Sequence, residues 1–399
     1  MSNSRAIAPA RPPIWVLVLA VSGANIGVSL LSPAVPLIRQ GLVATADQVQ
    51  LVLTGFMMAL GIGQLIAGTL SDRFGRRPVM LVGATLFLLG GFGAFTAASI
   101  DMLVFMRILQ GAGAAACVVM GRVIINDSFV GAEAGRQLSM ITMVQAIVPI
   151  VGFAFGGAIA QSIGWQGCIV IMAISAGLTL LATLFLLQET KAKRESRIRI
   201  GRIVRAYAGL MVNPTFMANG LTSGMAVATF FVLSGIMPYQ YERYGVGPLE
   251  YGIFFCLCSV GYMAGSIVNR RFVPTLGLEF ASFLGALLSA AGVGFALLAD
   301  IAGFGSAILV TACMVVMGFG HGLTVANSVI AAVRAAGADS GSAMGLVGAA
   351  QMLIGGLLGS GIVAMGGDAS FIIGMGSVVG VGLFGVIMSV LALRLQQAN

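Results

Sequence analysis

One histidine, His321, sits between glycines in the run "GFGHGLTV". Its ordinary pKa of about 6.5 would let it exchange a proton near neutral pH from inside an oily stretch. Two arginines also interrupt oil. Arg107, Gly111, Ala115, Val118 and Arg122 follow spacings of four, four, three and four, so one helical stripe carries both guanidiniums with small residues between them. A guanidinium at membrane depth costs at least about 2.5 kcal/mol, so each needs a partner or water. A third cluster is "GTLSDRFGRRPVML", where Asp72, Arg73, Arg76 and Arg77 fall within six positions, framed by Gly68 and Gly75. Isolated polar residues complete the set: Asn25, Ser29, Gln145, Asn219, Asn327 and Gln351, with Phe231 as an apolar neighbour. These groups can carry fixed charge, hydrogen bonds and protons. Covalent chemistry is another matter, since one histidine and no "HExxH", "GxSxG" or Gly-rich phosphate loop leave no metal set, nucleophile or nucleotide cradle. The sequence therefore predicts neither an enzyme nor an ATP-driven machine, and no cofactor or metal.

Plainer roles compete at every position. His321 also reads as a packing residue, and each amide as an interhelical hydrogen bond. Arg122 can snorkel or pair with Asp127, Arg107 can bond backbone carbonyls near the fifth apolar run, and Arg76 and Arg77 can be simple anchors. The carboxylates narrow the choice of substrate. Asp47, Asp101, Glu242, Glu250, Asp300 and Asp368 map to one side of the apolar runs, and Asp72, Asp127, Glu133, Glu189, Glu195, Glu279 and Asp339 to the other. None lies mid-run. A cation pump wants a buried carboxylate that either a proton or the cation neutralises, so neutral, zwitterionic or anionic substrates are favoured, with Arg107 the deepest fixed charge.

The elements that must position these residues are membrane helices. Hydrophobic residues make up 58% of the 399 and charged residues only 9%. About twelve apolar runs long enough to cross roughly 30 Å of hydrocarbon recur, near 14–37, 51–70, 79–98, 102–126, 137–160, 167–188, 214–236, 251–268, 278–299, 304–327, 343–365 and 370–394. The first reads as a retained span after a short tail holding Arg5 and Arg11. Of 21 Lys and Arg, Arg39 and Arg243 lie on one side, Arg107 and Arg122 lie within the fourth run, and the other 17 fall on the opposite side, which the positive-inside rule makes cytoplasmic together with both termini. The net charge of +8 is thus a topology signal and does not point to nucleic acid. The five cysteines all fall in apolar runs and read as core residues.

The basic loop "QETKAKRESRIRIGRIVRAYAG", with seven positive charges, divides six spans from six. Predicted domains are 1–188, a cytoplasmic linker 189–208, and 209–399. An internal echo, Gly68, Asp72 and Arg73 against Gly265, Asn269 and Arg270, supports two tandem halves.

"GTLSDRFGRRPVML" resembles the loop signature between spans two and three of the major facilitator superfamily. "RILQGAGAA" resembles that family's span-four motif and "VPIVGFAFGGAI" its span-five antiporter motif. Residues 318–356 are similar to spans ten and eleven of the bicyclomycin-resistance branch of drug/proton antiporters. The resemblance covers essentially the whole chain. It implies an all-α membrane protein of twelve helices in two pseudo-symmetric six-helix bundles. It further implies a secondary transporter that exports small amphipathic compounds by alternating access and proton-coupled antiport, from a bacterial inner membrane. The implied partners are a small-molecule substrate, protons and the lipid bilayer, with the chain acting as a monomer. Gly68, Asp72, Arg73, Gly75, Arg76 and Arg77 become the conformational gate; apart from the resemblance, the titration range of His321 makes it the candidate proton carrier, with Asp127 next. Asn25, Ser29, Arg107, Gln145, Asn219, Phe231, Asn327 and Gln351 sit on the spans that line the family's cavity. Two departures matter. Ser29 stands where the branch has a membrane-embedded Asp, and Gly152–Phe153 replaces the second proline of the span-five motif. Both leave room for an alternative, an exporter or importer of one neutral or anionic metabolite without proton coupling. A channel or receptor is disfavoured by the six-plus-six organisation.

Overall fold

The computed structural model describes residues 11–191 and 200–398. Arg5, Glu195 and the middle of the basic linker lie outside that range. Among the described residues, twelve helices are long and apolar enough to cross a membrane: Ile14–Gly41, Ala46–Phe74, Arg76–Phe95, Ile100–Ser128, Glu133–Ile163, Trp165–Leu186, Pro214–Glu242, Pro248–Leu276, Leu278–Ile301, Ala307–Ala335, Ser340–Ala364 and Phe371–Gln397. They are spans one to twelve in chain order. Most run several residues beyond the apolar windows, because side-chain caps and backbone bonding set helix ends and hydropathy does not. Thr45 and Gln48 form a reciprocal capping box that starts span two at Ala46, and Ser99, Asn213 and Ser306 cap spans four, seven and ten.

Two local features depart from the sequence reading. Span one is broken into a helix Ile14–Ser29, a 3₁₀ turn Ser32–Ala34 and a short helix Val35–Gly41, where Pro33 and Pro36 lack the N–H needed for a continuous ladder. Within the basic loop, Ile200–Met211 folds as an amphipathic helix that runs past the expected boundary at 208. Its Leu210 and Tyr207 pack with Phe216, Ala343 and Val347 of the second half.

The packing obeys an internal twofold. Span two lies on four, three on four and six, and one on four, five and six; span eight lies on ten, nine on ten and twelve, and seven on ten, eleven and twelve. The halves meet through five against eight and two against eleven. Spans five and eight touch backbone to backbone. A Cβ on Gly157 would strike the Pro248 carbonyl, and one on Gly252 would strike that of Phe153. Small residues at such crossings are how helices approach closely in lipid.

The cores tell the two ends apart. At the end away from the basic loops, one apolar core runs through both halves, from Leu31, Val49 and Phe153 to Ile236, Tyr251, Phe255 and Met314. At the basic end the cores are separate. Val16, Leu17, Met120, Ile124 and Ile141 belong to the first half alone, and Phe216, Ala332 and Val347 to the second. The molecule is closed at the far end and parts toward the basic end.

Candidate functional site

Between these ends, the first half presents a linked polar cluster at mid-span. Asn25 Nδ2 donates to the Gln145 carbonyl at 3.0 Å, and Ser29 Oγ donates to the Asn25 carbonyl at 2.8 Å. Arg122 Nη2 donates to Gln145 Oε1 at 3.2 Å. Span one supplies two of these residues, span four one and span five one. Asn25, Arg122 and Gln145 remain partly exposed, and the helix neighbours Ala24, Val28 and Val118 pack with Phe231 and Met352 of the other half, so the cluster lies beside the space between the halves. Arg122, left at the helix edge by the sequence reading, is the member it missed. The signal was there in its polarity, but the nearby Asp127 offered a nearer partner that the structure gives to Arg76.

Arg107 lies elsewhere. It is fully buried and bonds inward: Nη1 to Gln110 Oε1 at 2.8 Å, Nε to the Val52 carbonyl at 3.4 Å, and Nη2 to the Gly27 carbonyl. Its guanidinium also lies 4.2 Å from the Phe56 ring centroid. The carbonyls come from spans one and two rather than span five. Arg107 and Arg122 therefore do not share one cavity-facing stripe; the first locks spans one, two and four together and the second faces the gap.

In the second half, Gln351 Nε2 donates to Ser223 Oγ at 2.6 Å, and Phe231, partly exposed, packs against a first-half cluster of Val28, Met57 and Val118. Asn219 donates to the Thr215 carbonyl, and its Oδ1 is buried with no hydrogen-bond partner among the described residues. Asn327 pairs reciprocally with Asn269 at 3.0 and 2.8 Å, joining spans ten and eight away from the polar cluster. His321 lines a cavity of about 20 Å³ inside the second bundle with Thr222, Thr229 and Ser289, room for about one water. The structure thus joins Asn25, Ser29 and Gln145, sets Phe231 opposite them, and leaves Arg107, Asn327 and His321 inside the bundles.

The basic end of the first half carries a dense charge cluster. The turn between spans two and three is Gly75 alone, with φ of +101°, a value that excludes most side chains. Arg76 is buried rather than a solvated anchor. Its side chain donates to Ser71 Oγ at 2.6 Å, Asp72 Oδ1 at 2.9 Å and Asp127 Oδ2 at 2.8 Å, and its backbone N–H to Glu189 Oε1 at 2.9 Å. Lys191 Nζ reaches Asp72 Oδ1 at 2.7 Å, and Arg77 Nη2 the Leu184 carbonyl at 2.7 Å. Arg73 stacks over Phe74 at 5.2 Å. A Cβ on Gly68 would meet only Val119, at 3.9 Å, so no helix crowds it here. Every one of these partners belongs to the first half or to the start of the linker, at Glu189 and Lys191, and none to the second half.

The far end is sealed across the halves. Ser32 hydroxyl donates to the Ser234 carbonyl and lies 3.0 Å from Tyr251 hydroxyl; Thr54 Oγ1 donates to the Gly356 carbonyl at 3.1 Å and Ser360 Oγ to Thr54 Oγ1 at 2.8 Å. Beneath them the ring of Phe153 of span five lies tilted against Phe255, 4.4 Å between centroids, and edge-on to Phe230 at 5.9 Å. Beside this seal Tyr244 donates to Asp300 at 2.8 Å, and burial, seconded by that carboxylate, pushes the phenol up to about 12, keeping it a donor.

A family model described as Major Facilitator Superfamily matches residues 17–360. The chain is 33% identical over 258 residues to the "Uncharacterized MFS-type transporter YdgK" of Bacillus subtilis, covering 64% of each chain. It is 28% identical to a "Chloramphenicol resistance protein" of Pseudomonas aeruginosa over 84% of this chain and 78% of that one. It is 29% identical to a "Bicyclomycin resistance protein homolog" of Haemophilus influenzae over 63% and 64%. The matches to the first and third span just under two thirds of those relatives. A solved D-xylose–proton symporter has the same fold, with a TM-score of 0.73 at 16% identity over 94% of this chain and 96% of that one.

Proposed function

From the premise that the chain belongs to the Major Facilitator Superfamily, we propose that it exports small amphipathic compounds by alternating access, in exchange for protons. One observation carries the reading. A single core shared by both halves closes the far end, while at the basic end the cores are separate and a polar cluster faces the gap. By the positive-inside rule the basic end and both termini lie in the cytoplasm, so this is the state that loads from inside the cell. The resistance names of two relatives point the same way.

In this reading the chain works as a monomer in the bacterial inner membrane. Asn25, Ser29, Gln145, Phe231, Asn219 and Gln351 contact substrate, while Asn327 and Arg107 act at a remove, Arg107 by fixing span one through Gly27. The cluster around Gly68, Asp72, Arg73, Gly75, Arg76 and Arg77 is the gate. In the cytoplasm-open state it is satisfied by its own half and the first residues of the linker; closure would offer Asp72 the N-terminal end of a helix in the other half. Asp127, bonded to Arg76, ties a titratable carboxylate to that gate, and His321 supplies a second proton site beside its small cavity.

A second reading is favoured by one observation: among the described residues no carboxylate sits at mid-span, so transport of one neutral or anionic metabolite without proton coupling also fits. Purified protein in vesicles with an imposed pH gradient separates the two. Proton-driven accumulation that falls several-fold in Asp127→Asn or His321→Ala supports antiport. Transport that ignores the gradient assigns the chain to the second reading, and no transport across a chemically varied panel overturns both.

A further inference from the structure

The polar cluster facing the gap holds a single charge, the Arg122 guanidinium, among neutral amides and a hydroxyl. Arg122 makes a single hydrogen bond, 3.2 Å to a neutral amide oxygen, and forms no ion pair among the described residues. Toward that end Arg11 pairs with Glu133, Arg76 with Asp72 and Asp127, and Lys191 with Asp72; Arg73 and Arg136 form no ion pair among the described residues but are exposed, and Arg77 is held by the Leu184 carbonyl. Asp127, the acid closest to Arg122 along its own helix, is spent on Arg76 at 2.8 Å. The Gln145 amide, whose oxygen takes the Arg122 bond, keeps its two N–H donors beside the guanidinium. The backbone carbonyls of Gln145 and Asn25 each accept one bond, from Asn25 and Ser29, and Asn25 Oδ1 is left as an uncommitted side-chain acceptor of the cluster. One turn before Arg122, Val118 belongs to an apolar cluster with Val28 and Met57, against which Phe231 and Met352 of the other half pack.

An uncompensated, partly desolvated guanidinium beside free amide donors and an apolar wall is complementary to one kind of molecule. We propose that Arg122 and Gln145 form a carboxylate-binding subsite, and that the transported compounds are small amphipathic organic anions. The carboxylate lies on Arg122 and Gln145, and the apolar body lies toward Val118 and Phe231. This deepens the transport reading above and rests on it. The guanidinium gains its missing charge partner only while substrate is bound, which is the differential interaction a loading site needs.

Three probes with one ring system test it: 1-naphthoate, its neutral amide 1-naphthamide, and the cation 1-naphthylmethylammonium. Equilibrium dialysis on detergent-purified wild type, Arg122→Gln and Arg122→Lys reads binding. Naphthoate is expected to bind wild type at least about tenfold tighter than either analogue, to weaken about 10- to 100-fold in Arg122→Gln, and to be partly restored in Arg122→Lys, as a charge-assisted bond requires. Naphthamide binding is expected to stay unchanged across the three. Failure of naphthoate to bind wild type, equal binding in Arg122→Gln, or equal loss of naphthamide overturns the subsite. Vesicle uptake of the same probes separates the two claims: naphthoate that binds through Arg122 but does not move overturns the transport reading and leaves the subsite standing.

Discussion

Phe153 stands where the resemblance led us to expect proline, and its ring is the piece of span five that reaches into the other half. Both of its ring partners, Phe255 at 4.4 Å and Phe230 at 5.9 Å, belong to the second bundle. On the alternating-access reading proposed above, those contacts are lost when the far end opens. An aromatic pair contributes about 0.5–1.5 kcal/mol beyond the area it buries, so two pairs favour the closed far end by about 1–3 kcal/mol. Phe153→Leu keeps most of the apolar volume and removes the rings. The population with its far end open should then rise about 5- to 150-fold. Ser234, buried under this seal and taking the Ser32 bond through its carbonyl, reports the change. With Ser234→Cys introduced and the partly exposed Cys256 replaced by serine, a membrane-impermeant maleimide applied from the face opposite the basic loops labels the new thiol only when the far end opens. The labelling rate should climb by the same factor in Phe153→Leu. An unchanged or slower rate would refute the claim that this ring holds the seal.

Gly157→Leu puts a side chain into the Pro248 carbonyl at the crossing of spans five and eight. It should prevent far-end closure and abolish transport, and in the Ser234→Cys background the introduced thiol should label fast and without regard to substrate. Arg107→Lys leaves at least one of the Gly27, Val52 and Gln110 acceptors unmet, a cost of about 1–3 kcal/mol; the thermal midpoint in detergent should drop by several degrees, whereas Arg122→Lys should leave it within about one degree. Ser29→Asp restores an acid at mid-span beside Asn25. Vesicle transport should shift from anions toward cations and become steeper in pH, and retained anion preference would count against the charge argument.

Much of the fold was legible because lipid enforces simple rules. Runs near twenty apolar residues, and lysine and arginine sorted to alternate loops, leave few arrangements open. The site was only partly legible. Asn25, Ser29 and Gln145 announced themselves as polar groups in oil, and they do meet. Arg107 and Arg122 share a helical stripe in register, yet the packing of span four against spans one and two on one side and span five on another sends them apart. Periodicity fixes the direction in which a side chain leaves its helix and is silent on what waits there. Arg76 escaped for the same reason. Its four partners come from spans two and four and from Glu189, and no local pattern in "GRRPVML" indicates that one of two adjacent arginines is buried.

The Asn269–Asn327 pair carries a last consequence. At the place where the first half has Asp72 and its cations, the repeat has two uncharged amides answering each other. Added electrolyte therefore weakens the ion pairs of the first cluster, while the Asn269–Asn327 pair carries no charge for it to screen. On the transport reading proposed above, a change of salt at the basic end acts on the ion pairs of one bundle and meets no ion pair in the other among the described residues.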